Sequence, residues 1–223
     1  MNLNKKLSDI LDPNKIEVVK NPIEKAHGLP NECYLNNDYL EFEKEKIFKN
    51  NWTMIGVASS VPNPGDAKPF NLLGIPILIV RNKENEVKVF HNVCSHRGFK
   101  LVDQECKLKN VIRCPYHSWS YDFNGKLTVT PHIGGLGKHE VEGFDKNNSN
   151  LKEIKSNIWM DLIFININSN AKPFEDFIKP LEDRWSKFIS KKDQKLIRHS
   201  TDNGYFNMTV NSNWKFAIEN YCE

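Results

Sequence analysis

Two short segments constrain the fold of this 223-residue chain more than any other feature. One residue separates Cys94 from His96, and two residues separate Cys114 from His117. Each segment therefore offers one thiolate and one imidazole, which are ligands that both iron and zinc accept. The pattern predicts a metal centre held between two loops, with a more rigid scaffold that presents them.

Two kinds of metal centre use two cysteines and two histidines. A structural zinc site does so, but its ligands usually come in like pairs, as C-x₂₋₄-C and H-x₃₋₅-H. A Rieske [2Fe-2S] centre also does so, with two Cys on one iron and two His on the other. Mixed pairs favour the second centre, because each loop can then give one ligand to each iron. Structural zinc stays open as an alternative, as do ordinary buried cysteines and histidines.

The residues beside the ligand pairs resemble those of Rieske proteins of the oxygenase type. In this chain Arg97-Gly98 follows the first pair, and Pro115-Tyr116 lies inside the second, as in those proteins. The resemblance implies that the histidines lie at exposed loop tips. It also implies the four ligands of the [2Fe-2S] cluster, which are Cys94, His96, Cys114 and His117.

The loops differ from those of respiratory and photosynthetic Rieske proteins, which carry two further cysteines that form a disulfide. In this chain Phe99 and Tyr116 stand at those positions, so no loop disulfide can form there. A Rieske centre with fewer hydrogen bonds to its cluster sulfurs has a lower reduction potential, and the potentials of Rieske centres span roughly −150 to +300 mV. We expect the low end of this range, which suits electron acceptance from a reduced flavin or ferredoxin.

Composition indicates a protein of a reducing compartment. The other cysteines, Cys33, Cys106 and Cys222, are scattered and odd in number, which argues against a disulfide framework. The net charge of +3 comes from interspersed acids and bases, which does not indicate nucleic-acid binding. No signal peptide is visible, and the longest apolar run, Ile75 to Val80, is too short for a membrane span. We therefore expect a cytoplasmic protein that binds neither nucleic acid nor membrane.

The residue pattern predicts an α+β fold that is mostly antiparallel β. Asn124-Gly125 is a strong hairpin signal between two short strands. A short helix over residues 37–48 would have Asn37 or Asp38 as its N-cap and Glu41 in a capping box. Further strands are expected at Trp52–Val57, Ile75–Arg81, Val87–Phe90 and Asn157–Ile167.

Helical spacing returns after residue 168. Apolar residues from Phe174 to Ile189 recur at helical intervals, and Pro180 is expected to start a fresh helix. Residues 205–210 are predicted as a strand. A final helix is predicted over residues 211–223, where capping residues open it.

The last segment looks like the start of the catalytic domain of Rieske non-heme iron oxygenase large subunits. It contains Asn213-Trp214-Lys215 followed by Glu219-Asn220-Tyr221. In that family two histidines and a carboxylate beyond this string hold a mononuclear Fe(II). Glu223 aligns with an acid that bridges the two iron centres in a ring-shaped trimer. A plainer interpretation is that Glu219 and Glu223 are acids on an exposed helix face.

The resemblance also implies a domain division. Residues 1–47 form an N-terminal segment with a short helix, residues 48–168 the Rieske domain, and residues 169–223 an incomplete beginning of the catalytic domain. We therefore expect a fragment of a longer subunit. The mononuclear Fe(II) is expected only in the full-length protein, which would form a homotrimer. The fragment alone is not expected to oxygenate a substrate.

The implied activity is oxygenation supported by a flavin or iron–sulfur reductase, or by a ferredoxin. The family contains aromatic-ring dioxygenases and enzymes that act on quaternary amines such as carnitine. Glutamate at the bridging position, Glu223, favours the second group. The alternative function is a stand-alone, ferredoxin-like Rieske electron carrier, although such carriers are about half as long and lack the terminal string.

Overall fold

The computed structural model describes residues 7–200 and 208–222, and their chain order is helical, then β, then helical. Helices α1 to α3 come first, as Pro13–Val19, Glu32–Leu35 and Asn37–Glu43, and a π-helical turn, Lys44–Phe48, follows. Strands β1 to β5 are Thr53–Val57, Asp66–Leu72, Ile75–Arg81, Val87–His91 and Cys106–Lys107. Strands β6 to β10 are Ile112–Arg113, Ser120–Tyr121, Leu127–Val129, Lys155–Trp159 and Leu162–Asn166. Helices α4 to α6 are Phe174–Trp185, Lys191–Gln194 and Trp214–Cys222.

The strands form three antiparallel sheets, with orders β1-β10-β9, β4-β3-β2-β5 and β6-β7-β8. This confirms the predicted antiparallel α+β class. It also confirms the strands β1, β3 and β4 and the hairpin between β7 and β8. Gly125 turns that hairpin at a φ of +79°, where a Cβ would lie 2.6 Å from Cε1 of Phe90. Glycine is therefore required there for both backbone conformation and space.

Apolar side chains gather in separate clusters, and one of them lies under the metal-ligand loops. That cluster contains Cys94 and Cys114 together with Trp119, Tyr121 and Phe90, all of which are buried. A second cluster joins β3 and β4 to β1 and β10 through isoleucines and valines. Each fully buried large apolar side chain contributes about 1.5–3 kcal/mol. The metal-ligand loops are therefore supported by a well-packed apolar core.

The single strand predicted over residues 157–167 is wrong, because β9 and β10 form a hairpin there. Met160 and Asp161 make the turn at φ angles of 48° and 68°. The buried carboxylate of Asp161 accepts hydrogen bonds from the Ser59 hydroxyl at 2.6 Å and from the backbone N–H of His199 at 2.9 Å. These distant partners hold the turn, and nothing in the local apolar run indicates them.

Two details of the predicted helices are also wrong. The N-cap of α3 is Asn36, whose side chain accepts the N–H groups of Asp38 and Tyr39, and the carboxylate of Glu41 pairs instead with Lys44. Pro180 lies inside the continuous helix α4. The carbonyl that loses its helical partner belongs to Asp176, an exposed residue, so water can reach it.

The chain divides into two compact units. The described residues up to 49 and those from 208 onward form one, and residues 50–200 belong to the other. The predicted division at residues 47 and 168 stays a prediction. Most of the strand predicted at 205–210 lies outside the described residues, and residues 208–210 are in no regular element. None of the described helices has the length and apolarity needed to cross a membrane.

Candidate iron–sulfur site

The first ligand loop is closed by its own backbone. The N–H of Cys94 donates to the carbonyl of Phe99 at 2.8 Å, and the N–H of Gly98 donates to the carbonyl of Cys94 at 2.9 Å. Gly98 has a φ of 69°, a conformation that glycine adopts without strain. Behind the loop, the buried amide of Asn92 accepts the N–H of Val102 and donates to its carbonyl. Both ends of the loop are thereby held.

The second ligand loop repeats the same backbone design. The N–H of Cys114 donates to the carbonyl of Trp119 at 2.8 Å, and the N–H of Ser118 donates to the carbonyl of Cys114 at 3.0 Å. Ser118 has a φ of 58°, so it matches Gly98 in conformation as well as in position. Each loop therefore fixes one cysteine at its base, and the two loops form a symmetric pair of ligand carriers.

The two thiols are buried together at the bases of the loops. Cys94 and Cys114 are each 2% exposed, and their side chains interact. The Sγ of Cys94 lies 3.2 Å from the phenol oxygen of Tyr121, which also accepts the N–H of Ser95. Burial raises the pKa of Cys94, so metal binding must displace a proton from this thiol. Burial also raises the pKa of Tyr121, which keeps its hydroxyl protonated as a donor.

The two imidazoles lie beside each other above the thiols. The ring centroids of His96 and His117 are 4.9 Å apart, and His96 stacks on Trp119 at 4.6 Å with an interplanar angle of 11°. His117 is exposed, whereas His96 is half-buried, so the expected exposure of both histidines holds for only one. Burial lowers the pKa of His96, and the neighbouring His117 and Arg97 lower it further. A neutral imidazole is the form that binds a metal.

The residues fit a Rieske cluster. In such a centre each iron takes two protein ligands, either two thiolates or two imidazoles. The structure brings the two buried sulfurs together and places the two imidazoles together, which is the required grouping. An open cavity of about 510 Å³ borders the imidazoles and is also lined by Trp119, Pro131 and His132. Among the residues that the structure describes, no three or more His, Cys, Asp or Glu side chains are placed to hold one metal ion.

Tyr121 is a site residue that the ligand motifs do not indicate. Side chains two residues apart in a strand share a face, so the position of Tyr121 two residues after Trp119 was an available signal. Trp119 itself both packs in the core and contacts a ligand histidine.

His132 and His139, which lie outside the ligand motifs, hold a loop beside the cavity. The Nδ1 atom of His139 accepts the backbone N–H of His132 at 3.1 Å. The Nδ1 atom of His132 accepts the backbone N–H of Gly137 at 2.8 Å. Both imidazoles therefore satisfy backbone donors of the loop.

Replacing Tyr121 by Phe is expected to lower the midpoint potential of the bound cluster. The hydroxyl lies 3.2 Å from the Cys94 sulfur and would donate to it once the sulfur binds the cluster as a thiolate, which favours the more electron-rich state of the cluster. A hydrogen bond worth about 0.5–1.5 kcal/mol corresponds to about 20–60 mV for one electron. Redox titration followed by visible absorption measures the change, with Tyr221→Phe at an exposed helix position as control. An unchanged or raised potential in Tyr121→Phe would refute this role.

The terminal Asn-Trp-Lys string lies in the other compact unit, where it anchors α6. The Lys215 ammonium contacts both carboxylate oxygens of Glu43 at 2.8 and 2.9 Å. The indole N–H of Trp214 donates to the same carboxylate at 3.1 Å. The amide of Asn213 donates to the carbonyl of Tyr34 at 3.0 Å and accepts the N–H of Lys215 as a cap. The string is therefore a helix anchor within this unit.

The acid of α6 is Glu219, which has a partner in the same unit. Glu219 is half-buried and accepts the phenol of Tyr34 at 2.6 Å, and this bond is the main reason that the pKa of Tyr34 rises to about 12. The plainer interpretation of an acid on an exposed helix face therefore does not hold for Glu219. Glu223, the candidate bridging acid, lies outside the described residues.

One known protein family matches the part of the chain that holds the ligand loops. A family model described as the Rieske [2Fe-2S] domain matches residues 51–141. This match covers both ligand loops and the strands that carry them.

Known relatives extend the similarity to most of the chain. The carnitine monooxygenase oxygenase subunit of Acinetobacter pittii is 33% identical over 199 residues, which are 89% of this chain and 51% of that protein. The corresponding subunit of Escherichia coli K12 is 30% identical over 91% of this chain and 51% of its own length. The chain thus spans about half the length of these relatives.

A solved structure has a similar fold. The quaternary ammonium Rieske monooxygenase CntA, in complex with its substrate gamma-butyrobetaine, superimposes with a TM-score of 0.76 and 31% sequence identity. The match covers 89% of this chain and 54% of that chain.

Proposed function

This chain contains a Rieske [2Fe-2S] domain and is homologous to the oxygenase subunits of Rieske oxygenases, and from that premise we propose that it serves O₂-dependent hydroxylation or demethylation. The observation that carries the proposal is the pair of matched loops with two buried thiols and two adjacent imidazoles. When bound there, a [2Fe-2S] cluster supplies one-electron redox chemistry.

The residues around the site have separable tasks in this proposal. Cys94 and Cys114 bind the cluster from the protein interior, and His96 and His117 bind it from the open side. Trp119 and Tyr121 exclude water from the sulfurs, because both are buried in the cluster of apolar residues beneath the loops. Their hydrophobic surroundings and the Tyr121 hydroxyl set the potential. The cavity beside the imidazoles leaves that side accessible.

The proposed electron donor is a flavin or iron–sulfur reductase that uses NAD(P)H, or a ferredoxin. The proposed acceptor is a mononuclear Fe(II) whose ligands lie outside these 223 residues. After Trp159 the sequence contains a single histidine, His199, whose backbone and imidazole already engage Asp161. A facial triad needs two histidines and a carboxylate. We propose Glu223 as the bridging acid of a homotrimer, because after the Glu219-Asn220-Tyr221 string it aligns with that acid of the family.

The proposed substrate class is quaternary ammonium compounds. The A. pittii and E. coli relatives are carnitine monooxygenase subunits, and CntA binds gamma-butyrobetaine. A glutamate at position 223 favours the same class. The five cysteines, all of them among the described residues, form no disulfide, and we propose a cytoplasmic setting.

A turnover assay tests this function. Protein from the complete reading frame would be mixed with a reductase, NAD(P)H and O₂, with carnitine and gamma-butyrobetaine as substrates and an aromatic hydrocarbon for comparison. We expect substrate-dependent O₂ consumption with the quaternary amines, and none in Cys114→Ser. A cluster that is reduced without any substrate-dependent O₂ consumption would instead indicate a ferredoxin-like electron carrier.

The midpoint potential of the cluster is expected below 0 mV, near the bottom of the roughly −150 to +300 mV range. The reason is the absence of loop cysteines, because Phe99 and Tyr116 stand at those positions. Spectroelectrochemistry measures this value. A midpoint above about +100 mV on that scale would contradict the oxygenase-type assignment.

A further inference from the structure

Five aromatic rings form a continuous row across the two cluster loops. The ring centroids of Phe99 and Tyr116 are 5.3 Å apart, and those of Tyr116 and His117 are 3.8 Å apart. The row continues from His117 to His96 at 4.9 Å and from His96 to Trp119 at 4.6 Å. Phe99 and His96 come from the first loop and the other three rings from the second, so three of the four contacts in the row link the two loops.

The outer end of this row is not part of the core. Phe99 is 43% exposed and Tyr116 is 53% exposed, whereas Trp119 at the other end is buried. Rings that stand at the surface gain little from burial. Phe99 and Tyr116 nevertheless contact each other, and Tyr116 contacts a ligand histidine.

The backbone hydrogen bonds of Cys94 and Cys114 each close one loop and do not join the two loops. Side chains are therefore needed to hold the loops to each other. Cys94 is bonded to Phe99 in the first loop, and Cys114 to Trp119 in the second. We propose that Phe99 and Tyr116 form an aromatic clasp that joins the two loops and fixes the ring orientation of His117. Both are positioning residues, since they act through the ligand histidine.

The clasp has a measurable effect on retention of the cluster. An aromatic pair contributes about 0.5–1.5 kcal/mol beyond its buried area, which corresponds to about a 2- to 12-fold change in rate. Phe99→Leu and Tyr116→Leu keep apolar volume but remove a ring. Each is expected to raise the rate of cluster loss to a chelator by about 2- to 12-fold. The double variant is expected to lose the cluster no faster than the worse single variant, because one contact is removed in all three.

The experiment uses ring-retaining variants and a distant control. Tyr116→Phe and Phe99→Tyr keep the clasp and are expected to retain the cluster as the unaltered protein does. Phe188→Leu removes an exposed ring elsewhere and is expected to have no effect. Bleaching of visible absorption under chelator gives the rate. The electron paramagnetic resonance spectrum of the reduced cluster reports the orientation of His117, and it is expected to change in Tyr116→Leu but not in Tyr116→Phe.

The proposal rests on the cluster assignment and not on the oxygenase reaction. Leucine variants that lose the cluster no faster than Phe188→Leu would overturn the clasp alone. Additive effects of the two leucine substitutions, or equal effects of leucine and ring-retaining substitutions at residue 116, would do the same. If the unaltered protein assembles no iron–sulfur cluster, the clasp and the cluster assignment fall together. If Tyr116→Leu fails to assemble a cluster while Tyr116→Phe assembles one, the clasp is supported.

Discussion

Cys114→Ser is expected to abolish the visible absorption of the purified protein, and Cys94→Ser is expected to do the same. Both thiols are 2% exposed at the bases of the ligand loops, so a replacement ligand cannot enter from solvent. Loss of a residue that hydrogen-bonds to a metal ligand already lowers metal affinity by about 10–100-fold, and loss of the ligand itself lowers it by at least that much. The loops are also expected to lose stability, because metal binding is coupled to folding. Absorption spectra and iron content measure the effect.

Cys106→Ser provides the matched control for the cysteine substitutions. Cys106 is exposed on β5, outside the ligand loops, so its removal is expected to leave absorption and iron content unchanged. Absorption like that of the unaltered protein in Cys94→Ser or Cys114→Ser would refute the ligand assignment. Loss of absorption in Cys106→Ser would show that cysteine substitution destabilises the protein in general, and that the loss does not report removal of a ligand.

Lys215→Met is expected to lower the free energy of unfolding by about 3–5 kcal/mol, as removal of one partner of a buried ion pair does. Glu43 is 2% exposed and Lys215 is 7% exposed, so the remaining carboxylate would be left buried. The Lys215 ammonium also lies 5.2–5.4 Å from the ring centroids of Tyr34, Tyr39 and Trp214. Chemical denaturation followed by circular dichroism measures the change.

Substitution of the other partner, Glu43, separates the contribution of the ion pair from that of the three aromatic rings around the Lys215 ammonium. In Glu43→Gln the ammonium keeps its three ring faces, each worth about 0.5–2 kcal/mol, so the loss is expected to be smaller than in Lys215→Met. Glu17→Gln serves as control, because Glu17 pairs with Lys20 on the surface and contributes about 0–1 kcal/mol. A loss in Lys215→Met no larger than that in Glu17→Gln would contradict the anchoring role.

The sequence carries a local signal for the proposed ligands. A C-x-H and a C-x-x-H motif define the ligand types and the spacing on each loop without knowledge of the fold. The strand β3 and the turn at Gly125 were also predictable, since alternation and turn chemistry act over a few residues. The repeated backbone design of the two loops was not, because it depends on the φ angles of Gly98 and Ser118.

Features that depend on distant partners were missed or mistaken. The turn at Asp161 is held by Ser59 and His199, far away in the sequence. The Glu43–Lys215 pair joins residues 172 positions apart, so the Asn-Trp-Lys string could be matched to a family but its role could not be derived. The contact of Tyr121 with Cys94 likewise requires the packed β7 strand. Local pattern carries no information on such contacts.

Metal and sulfide analysis of the 223-residue polypeptide tests the central claim most directly. The assignment of Cys94, His96, Cys114 and His117 to a Rieske centre predicts about two irons and about two acid-labile sulfides per chain, a reddish-brown colour and no zinc. A colourless protein with about one zinc per chain, bound in the four-ligand manner of a structural site, would contradict it.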